Sequence, residues 1–307
     1  PRPRRSGLPR LPPEMTVEAV LPFAVGHLLD VLLSEIGQCG PDAGPRGVHQ
    51  SRVALRRLRS LVKLLRPKGS PEDSLWAEWA GELAELARVL GAARDWDVFL
   101  PGIATGALQA LGGDPRLRRL ARAAEAERRA AYAALDQALA APAFRRCILR
   151  GAALAASAAP GGTPLQAFAA RLLGKRWKRL RRAARNIETL EAPALHELRL
   201  DAKRLRYAAE PFAHLWPGRR ARRFARRLAA LQEALGLAND AAVARDLAAR
   251  LAGRGAGAFA IGTVTGFAAG RAEGSRLAAI AAWKELARTR RFWPKQVRPA
   301  AASAQST

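Results

Sequence analysis

The sequence VHQSRVALRRLR at residues 48–59 recurs as LHELRLDAKRLR at residues 195–206, an offset of 147 positions. Farther along each half, GAARDWDV at residues 91–98 matches GLANDAAV at residues 236–243, with Gly, Asp and Val at the same spacing. The repeated unit is too long for a solenoid repeat. The pattern therefore predicts two similar units related by an approximate twofold axis.

The composition indicates that both units are helical. Hydrophobic residues make up 49% of the 307 residues, enough to bury a substantial core, and aromatic residues only 6%. Alanine, leucine and arginine dominate, and these residue types favour helix over strand. We therefore predict an all-α fold of two helical bundles.

A Gly/Pro-rich stretch at residues 158–164 is the predicted boundary between the bundles. The predicted organisation is a basic Pro/Arg-rich tail or linker at residues 1–15, a first helical bundle at 16–157, a second at 158–297 and a flexible tail at 298–307.

Hydrophobic periodicity, together with Gly and Pro as helix breakers, predicts the individual helices. In the first half they cover residues 16–36 (broken or bent near Pro22), 48–65, 71–90 (ended by Gly91), 92–100 and 115–140. In the second half they cover residues 165–186, 194–215, 219–235, 238–251 and 259–291. In the last helix, Gly262, Gly266 and Gly270 predict a small-residue stripe for close helix contact.

Each repeated block carries a row of basic side chains along one helix face. Spacings of three and four residues stack such side chains above one another. The rows are His49, Arg52, Arg56, Arg59 and Lys63 in the first half, and His196, Arg199, Lys203 and Arg206 in the second. Leucines occupy a neighbouring arc that faces the core, so the rows are predicted to line a basic groove between helices.

Two further basic rows lie in the second half. They are Arg171, Lys175, Lys178 and Arg182, and Arg219, Arg222, Arg223 and Arg226. The whole chain has a formal net charge of +26, and like charges one helical turn apart destabilise a helix. A single basic run usually forms a solvated surface, but four aligned rows, two of them duplicated, favour an anionic ligand that relieves the repulsion.

Arginine-rich rows suit a polymer of phosphates. The guanidinium group donates bidentate hydrogen bonds to phosphoryl oxygens and keeps its charge. Inorganic polyphosphate is the preferred partner. Nucleic acid remains an alternative, although few aromatic residues are present to stack on bases and no helix-turn-helix or RNA-recognition signature is visible. A membrane-surface role is disfavoured because the basic helices are predicted to pack into bundles.

The roles of four residues remain open. The imidazoles of His49 and His196 either donate to the polyanion, which would raise their pKa, or simply cap and pack. Metal binding is disfavoured because no second His or Cys lies at ligand spacing. Asp95 and Asp240 either orient basic side chains or cap helices.

No catalytic constellation is visible. Gly174-Lys175 does not fit a phosphate-binding loop, and no paired carboxylates or metal motif occur. We therefore expect no enzymatic activity, no cofactor and no metal. Two cysteines without a disulfide pattern, and no recognisable signal peptide, favour the cytoplasm.

The motifs H-x-x-R-x-x-x-R-R-x-R at residues 49–59 and H-x-x-R-x-x-x-K-R-x-R at residues 196–206, followed by ARDWDV and ANDAAV, resemble the CHAD domain (conserved histidine α-helical domain). The resemblance spans about residues 16–294. It implies two pseudo-symmetric bundles with a basic central cavity, polyphosphate binding and targeting to polyphosphate granules. The family's histidines and basic residues correspond here to His49, Arg52, Arg56, Arg59, His196, Arg199, Lys203 and Arg206.

Two departures qualify the resemblance. The predicted helices at residues 16–36 and 71–90 are not basic, so the cavity is expected to be charged mainly from the second half. Many relatives fuse this domain to a triphosphate tunnel enzyme, whose E-x-E-x-K motif does not occur here. A second alternative is therefore an accessory domain of a polyphosphate-metabolising enzyme, with residues 1–15 following such a domain in a longer protein.

Overall fold

The computed structural model describes residues 8–40, 42–67, 69–157 and 161–294, and every extended regular element in these ranges is a helix. The predicted all-α class is therefore confirmed. Parts of the predicted organisation lie outside the described residues, namely residues 1–7, 158–160 and the tail at 298–307.

The helices of the first half are α1 (Val17–Ile36), α2 (Arg46–Leu65), α3 (Asp73–Phe99), α4 (Thr105–Ala110), α5 (Pro115–Ala140) and α6 (Pro142–Ala156). Those of the second half are α7 (Leu165–Ala183), α8 (Ala192–Phe212), α9 (Arg219–Arg250), α10 (Ala258–Glu273) and α11 (Ser275–Ala287). A π-helical turn, Leu100–Ala104, joins α3 to α4, and a 3-10 turn, Ala213–Leu215, follows α8.

The two halves meet through equivalent elements. Helix α2 contacts α8, and α3 contacts α9. Thr16, just before α1, forms an antiparallel bridge with Pro164, just before α7, and the Val17 amide donates to the Thr163 carbonyl over 3.0 Å. Contacts between equivalent positions are what a twofold axis produces. The structure therefore supports the twofold relation predicted from the repeat.

Both hydrophobic cores cross the predicted boundary between the halves. The larger core contains side chains of α1, α2 and α3 together with α7, α8, α9 and α11. A smaller core joins the end of α3, α4 and α5 to the end of α9 and α10. The halves are therefore packed into one body, because each core buries apolar area that neither half covers alone.

Two predicted helix breaks are wrong for the same reason. Helix α3 continues through Gly91, and α9 continues through Gly236, the equivalent position of the repeat. Glycine weakens a helix interior by only about 1 kcal/mol, which packing on both sides of it outweighs. A break at Pro22 is also wrong, because α1 is one helix that includes this proline. By contrast, the predicted helix at 259–291 is two helices separated at Gly274. Helix α6 was not predicted.

The glycine stripe of α10 does not mediate helix contact. A Cβ added to Gly262, Gly266 or Gly270 would meet no atom within 4 Å, and all three positions are exposed. The buried face of α10 is formed instead by Ala260, Val264 and Ala268. The predicted packing role of the three glycines is therefore wrong.

The described part of the N-terminal segment packs on the domain. Leu11 is buried, and its amide donates to Nε2 of His214 over 2.8 Å. Residues 8–13 are not helical, as predicted from their prolines, but they do not form a free tail. By length and composition, α1 is the one helix among the described residues that could cross a membrane. In this fold one of its faces belongs to the larger core.

Two helix-interior glycines provide a test of the first bundle's packing. A Cβ at Gly151 of α6 would lie 2.4 Å from Cζ2 of the buried Trp79, whereas a Cβ at Gly81 of α3 would meet nothing within 4 Å. Gly151→Ala is expected to lower the free energy of unfolding by about 1–3 kcal/mol through overpacking. Gly81→Ala should raise it by about 0.5–1 kcal/mol through helix propensity. Urea unfolding measures both, and equal effects of the two changes would contradict the packing described here.

Candidate anion-binding site

Basic side chains from both halves come together where α2 meets α8. We define the central cluster as Arg52, Arg56 and Arg59 of α2, Arg94 of α3, and Arg199 and Lys203 of α8. Lys203 is close enough to Arg52, Arg56, Arg59 and Arg199 for each of them to lower its pKa. The predicted convergence of the α2 and α8 rows therefore holds for these residues.

Tyr207 lies among these cations. The guanidinium carbon of Arg56 is 5.1 Å from the Tyr207 ring centroid, and Nζ of Lys203 is 5.9 Å from it. Both cations are within the range of cation–π attraction. The ring therefore holds one cation from each half in place, a role that the sequence did not reveal.

Two observations describe the surroundings of Arg52 and Arg56, which are half-buried on α2. A Cβ at Gly91 would lie 2.8 Å from Nη1 of Arg52, so this guanidinium packs directly on the backbone of α3. Nε of Arg56 is buried and has no hydrogen-bond acceptor among the described residues. An unpaired buried donor is costly, and an anion in the cluster would satisfy it.

Asp95 and Asp240 lie in the interiors of α3 and α9, so neither caps a helix. Burial raises the pKa of Asp95, while Arg52 acts in the opposite direction to favour its charged form. In the second half, Arg199 has the same effect on Asp240. Arg52 and Arg199 are equivalent positions of the repeat, as are the two aspartates. The structure therefore favours the predicted supporting role of both aspartates over helix capping.

The acidic groups do not neutralise the cluster. Burial lowers the pKa of Lys203, and neighbouring arginines lower it further. Partial desolvation also lowers the pKa of His49, with Arg94, Arg56 and Arg52 adding to the effect. A cation whose charged form is disfavoured by other cations indicates local positive charge in excess of the available carboxylates.

An ion pair joins the two halves beside the cluster. Nε of Arg57 on α2 donates to Oε1 of Glu210 on α8 over 2.7 Å. Arg56, Arg57, Tyr207 and Glu210 line a small pocket at this junction, next to Leu8 of the N-terminal segment. Opposite charges therefore hold together two helices whose basic rows repel each other.

The rest of the two duplicated rows, together with Arg59 of the central cluster, is more exposed. His49, Arg59, Lys63, His196 and Arg206 are all exposed to solvent. Arg206 donates to Oε1 of Gln232 on α9 over 2.8 Å. His49 lies near Arg52 and Arg56, since these arginines affect its pKa.

The two additional rows face solvent. Arg171, Lys175, Lys178 and Arg182 are exposed on α7, on the side away from the buried Leu173 and Trp177. Helix α7 meets α8 through a different face, where Arg179 pairs with Asp201 over 2.8 Å. Arg219, Arg222, Arg223 and Arg226 are likewise exposed on α9. The structure therefore does not assign either row to the central cluster.

Three contributors were missed by sequence reasoning, namely Arg94, Tyr207 and Gly91. Arg94 belongs to the repeated block ARDWDV, and the second half has Asn239 at the equivalent position. The sequence therefore showed a basic residue here, but not that it belongs to the central cluster. The first half supplies four of the six cations of the central cluster. The expectation that charge comes mainly from the second half is therefore wrong.

The fold and this site define an all-helical domain of two related halves, with an excess of cations at their junction. The chain belongs to the CHAD domain family, whose model matches residues 24–249. The crystal structure of the CHAD domain from the plant Ricinus communis is similar, with 28% identity and a TM-score of 0.72 over 94% of this chain and 97% of that one. PptA from Streptomyces chartreusis shares the fold, with 18% identity and a TM-score of 0.67 over 88% and 99%. No curated protein matches the chain.

The burial of Lys203 beside other cations generates a stability prediction. Its pKa in the folded protein is lower than in the unfolded chain, so the ammonium form disfavours folding at pH 7. Lys203→Met should therefore raise the free energy of unfolding by up to about 1 kcal/mol at pH 7. The gain should shrink as the pH rises towards the unfolded pKa of about 10.4, because Lys203 then becomes neutral in both states. Urea unfolding at several pH values measures this.

Lys178→Met provides the control for this measurement, because Lys178 is exposed on α7. It should change stability by less than about 0.5 kcal/mol. Equal effects of the two substitutions would show that Lys203 experiences no special repulsion.

Proposed function

We propose that this protein binds inorganic polyphosphate through the central cluster, without catalysing its cleavage. The observation that carries the proposal is the convergence of cations from both halves with too few carboxylates to neutralise them. Burial lowers the pKa of Lys203 on α8, and Arg52, Arg56 and Arg59 of α2 lower it further, so the charged form of Lys203 is disfavoured. A polyanion would reverse this effect by supplying the missing negative charge.

The arrangement of the cluster suits a chain of phosphates better than a single anion. The cations of each row are one helical turn apart, about 5.4 Å along the axis. Rows from α2 and α8 therefore offer repeated donors to a polymer that has a charge on each unit. Many weak contacts along one chain combine into strong multivalent binding.

The aromatic ring of the cluster argues against single-stranded nucleic acid. Proteins that bind such strands offer aromatic faces on which bases stack. The Tyr207 ring instead contacts Arg56 and Lys203, which belong to the two opposing rows. The cluster therefore offers positive charge, to which phosphates bind, and not the free aromatic face on which bases would stack.

In the cell, we propose that such binding places the protein on polyphosphate granules in the cytoplasm. A polymer-rich deposit offers many equivalent binding sites, so even moderate affinity would concentrate the protein there. A fluorescent fusion of the wild-type chain is expected to colocalise with granules, and a fusion carrying Arg199→Ala/Lys203→Ala is expected to stay dispersed.

The binding test uses long-chain polyphosphate, single-stranded DNA and double-stranded DNA at one fixed ionic strength. Arg199→Ala/Lys203→Ala should weaken polyphosphate binding by at least about tenfold, since charge-assisted hydrogen bonds are lost. The matched control is Arg145→Ala/Arg146→Ala, which removes two exposed arginines of α6. It should weaken binding by no more than about twofold.

Two outcomes would contradict the proposal. Equal losses in the central and control variants would place polymer binding elsewhere, and tighter binding of DNA than of polyphosphate would favour the nucleic-acid alternative. Phosphate release from polyphosphate in the presence of Mg²⁺, measured on the same samples, would show that the protein is an enzyme.

The pKa of His49 leads to a pH prediction. Desolvation and nearby arginines lower this pKa in the free protein, whereas bound polyanion should raise it. Binding should therefore take up a proton, and affinity should increase as the pH falls through the bound-state pKa and level off below the free-state pKa. Calorimetry in buffers of different ionisation enthalpy measures the uptake. His49→Gln should remove it, and an unchanged uptake in this variant would exclude His49 as the group that titrates.

A further inference from the structure

A second cluster of arginines surrounds a cleft in the second half. The cleft has a volume of about 380 Å³ and lies between the end of α7, the start of α9 and the segment after α11. Arg181, Arg220, Arg290 and Arg291 line it, with Trp177 and Trp293. None of these residues belongs to the central cluster or to the four basic rows, so the cleft is separate from the site described above.

The charge of this cleft is not compensated. None of the described residues that line it is acidic, and none of the four arginines pairs with a carboxylate of the described chain. The nearby Glu285 is already engaged, because Arg227 pairs with it and Arg288 lies 3.8 Å from its Oε1. The four guanidinium groups at the cleft therefore have no carboxylate partner among the described residues.

An aromatic cluster forms a firm base for the cleft. The ring centroid of Phe224 is 5.5 Å from that of Trp177 and 5.1 Å from that of Trp293, both in edge-to-face geometry. Both tryptophans are largely buried by these contacts, so they offer little free face for a stacked base. The base is therefore preorganised, and the groups available for recognition are the arginines above it.

The start of α9 adds to the positive field of the cleft, whereas the indole N–H of Trp293 is buried close to Gly174 of α7. Trp293 is only 3% exposed, and its Nε1–H has no hydrogen-bond acceptor among the described residues. Helix α9 begins at the cleft, where Gly218 provides no side-chain cap for the first amides. A helix start of this kind favours anions.

Helix α7 differs here from its equivalent in the first half. Helix α1 occupies in the first half the position of α7 in the second, because it packs on α2 as α7 packs on α8. It contains no Lys or Arg, and ends in Ser34, Glu35 and Ile36. The arginine that α7 contributes to the cleft is therefore not reproduced on the equivalent helix of the first half.

We propose that this cleft is a second anion site, which takes a compact phosphate-type oxyanion such as pyrophosphate, tripolyphosphate or the end of a polyphosphate chain. The proposal takes its ligand class from the proposed function, but its geometry is independent of the central cluster. Planar guanidinium forks suit phosphoryl oxygens that carry more than one charge. The volume of the cleft lies at the lower end of the range for small-ligand sites.

The test is calorimetric titration with tripolyphosphate in an Arg199→Ala/Lys203→Ala background, in which the central cluster is weakened. One binding event should remain. Adding Arg181→Ala/Arg290→Ala should weaken it by at least about tenfold. Adding the control pair Arg145→Ala/Arg146→Ala instead should change it by less than about twofold. Equal effects of the two added pairs, or no binding in the starting background, would overturn the proposal.

A conservative change separates recognition from folding. Arg181→Lys/Arg290→Lys keeps both positive charges at exposed positions and removes only the planar guanidinium forks. It should weaken tripolyphosphate binding by about threefold or more without changing the near-ultraviolet circular dichroism of the aromatic cluster. Unchanged affinity would exclude bidentate recognition by these two arginines. Because this measurement uses a short anion, its failure leaves the polymer-binding test of the central cluster unaffected, and the converse also holds.

Discussion

Positive charge held in place between the two halves is the constraint on which this structure depends. The central cluster brings six cations together, while Asp95 and Asp240 act mainly on Arg52 and Arg199. Such a junction would separate unless other contacts held it closed. The ion pair between Arg57 and Glu210 provides one such contact. The two hydrophobic cores, each built from both halves, provide the rest.

The duplication explains how a short motif builds a two-sided site. Because α2 and α8 meet near a twofold axis, each basic row faces its own copy, and one sequence pattern supplies both walls. The copies have since diverged. Gly91 makes room for Arg52, whereas a Cβ at Gly236 would meet nothing, and Arg94 corresponds to Asn239. The second half also contains the arginine cleft, so similar helices in the two halves present different basic groups.

The sequence predicted the helical class, and local spacing placed in rows the basic residues that the structure brings together between α2 and α8. Helix α5 was predicted with its observed bounds, whereas breaks were wrongly placed at Gly91 and Gly236, where tertiary packing outweighs glycine's weak propensity. The rows on α7 and α9 could not be distinguished from those on α2 and α8. All four have the same spacing, and only the arrangement of helices decides which rows face one another. Tyr207 was missed for the same reason, since its value comes from cations of two different helices.

At the junction of the two halves, the free-energy cost of burying a cation is therefore a better guide to function than the number of cations. The exposed rows of α7 and α9 contain eight basic residues. Water solvates each of them, so their charges cost the folded state little free energy. Arg52 and Lys203 are desolvated and repelled by neighbouring cations, and Nε of Arg56 is buried without an acceptor among the described residues, so these groups lower the stability of the free protein. Stability alone would favour replacing them with apolar side chains. Under the proposed function, a bound polyanion would supply the missing negative charge, and the gain in stability would be largest for a ligand that neutralises several of these residues together.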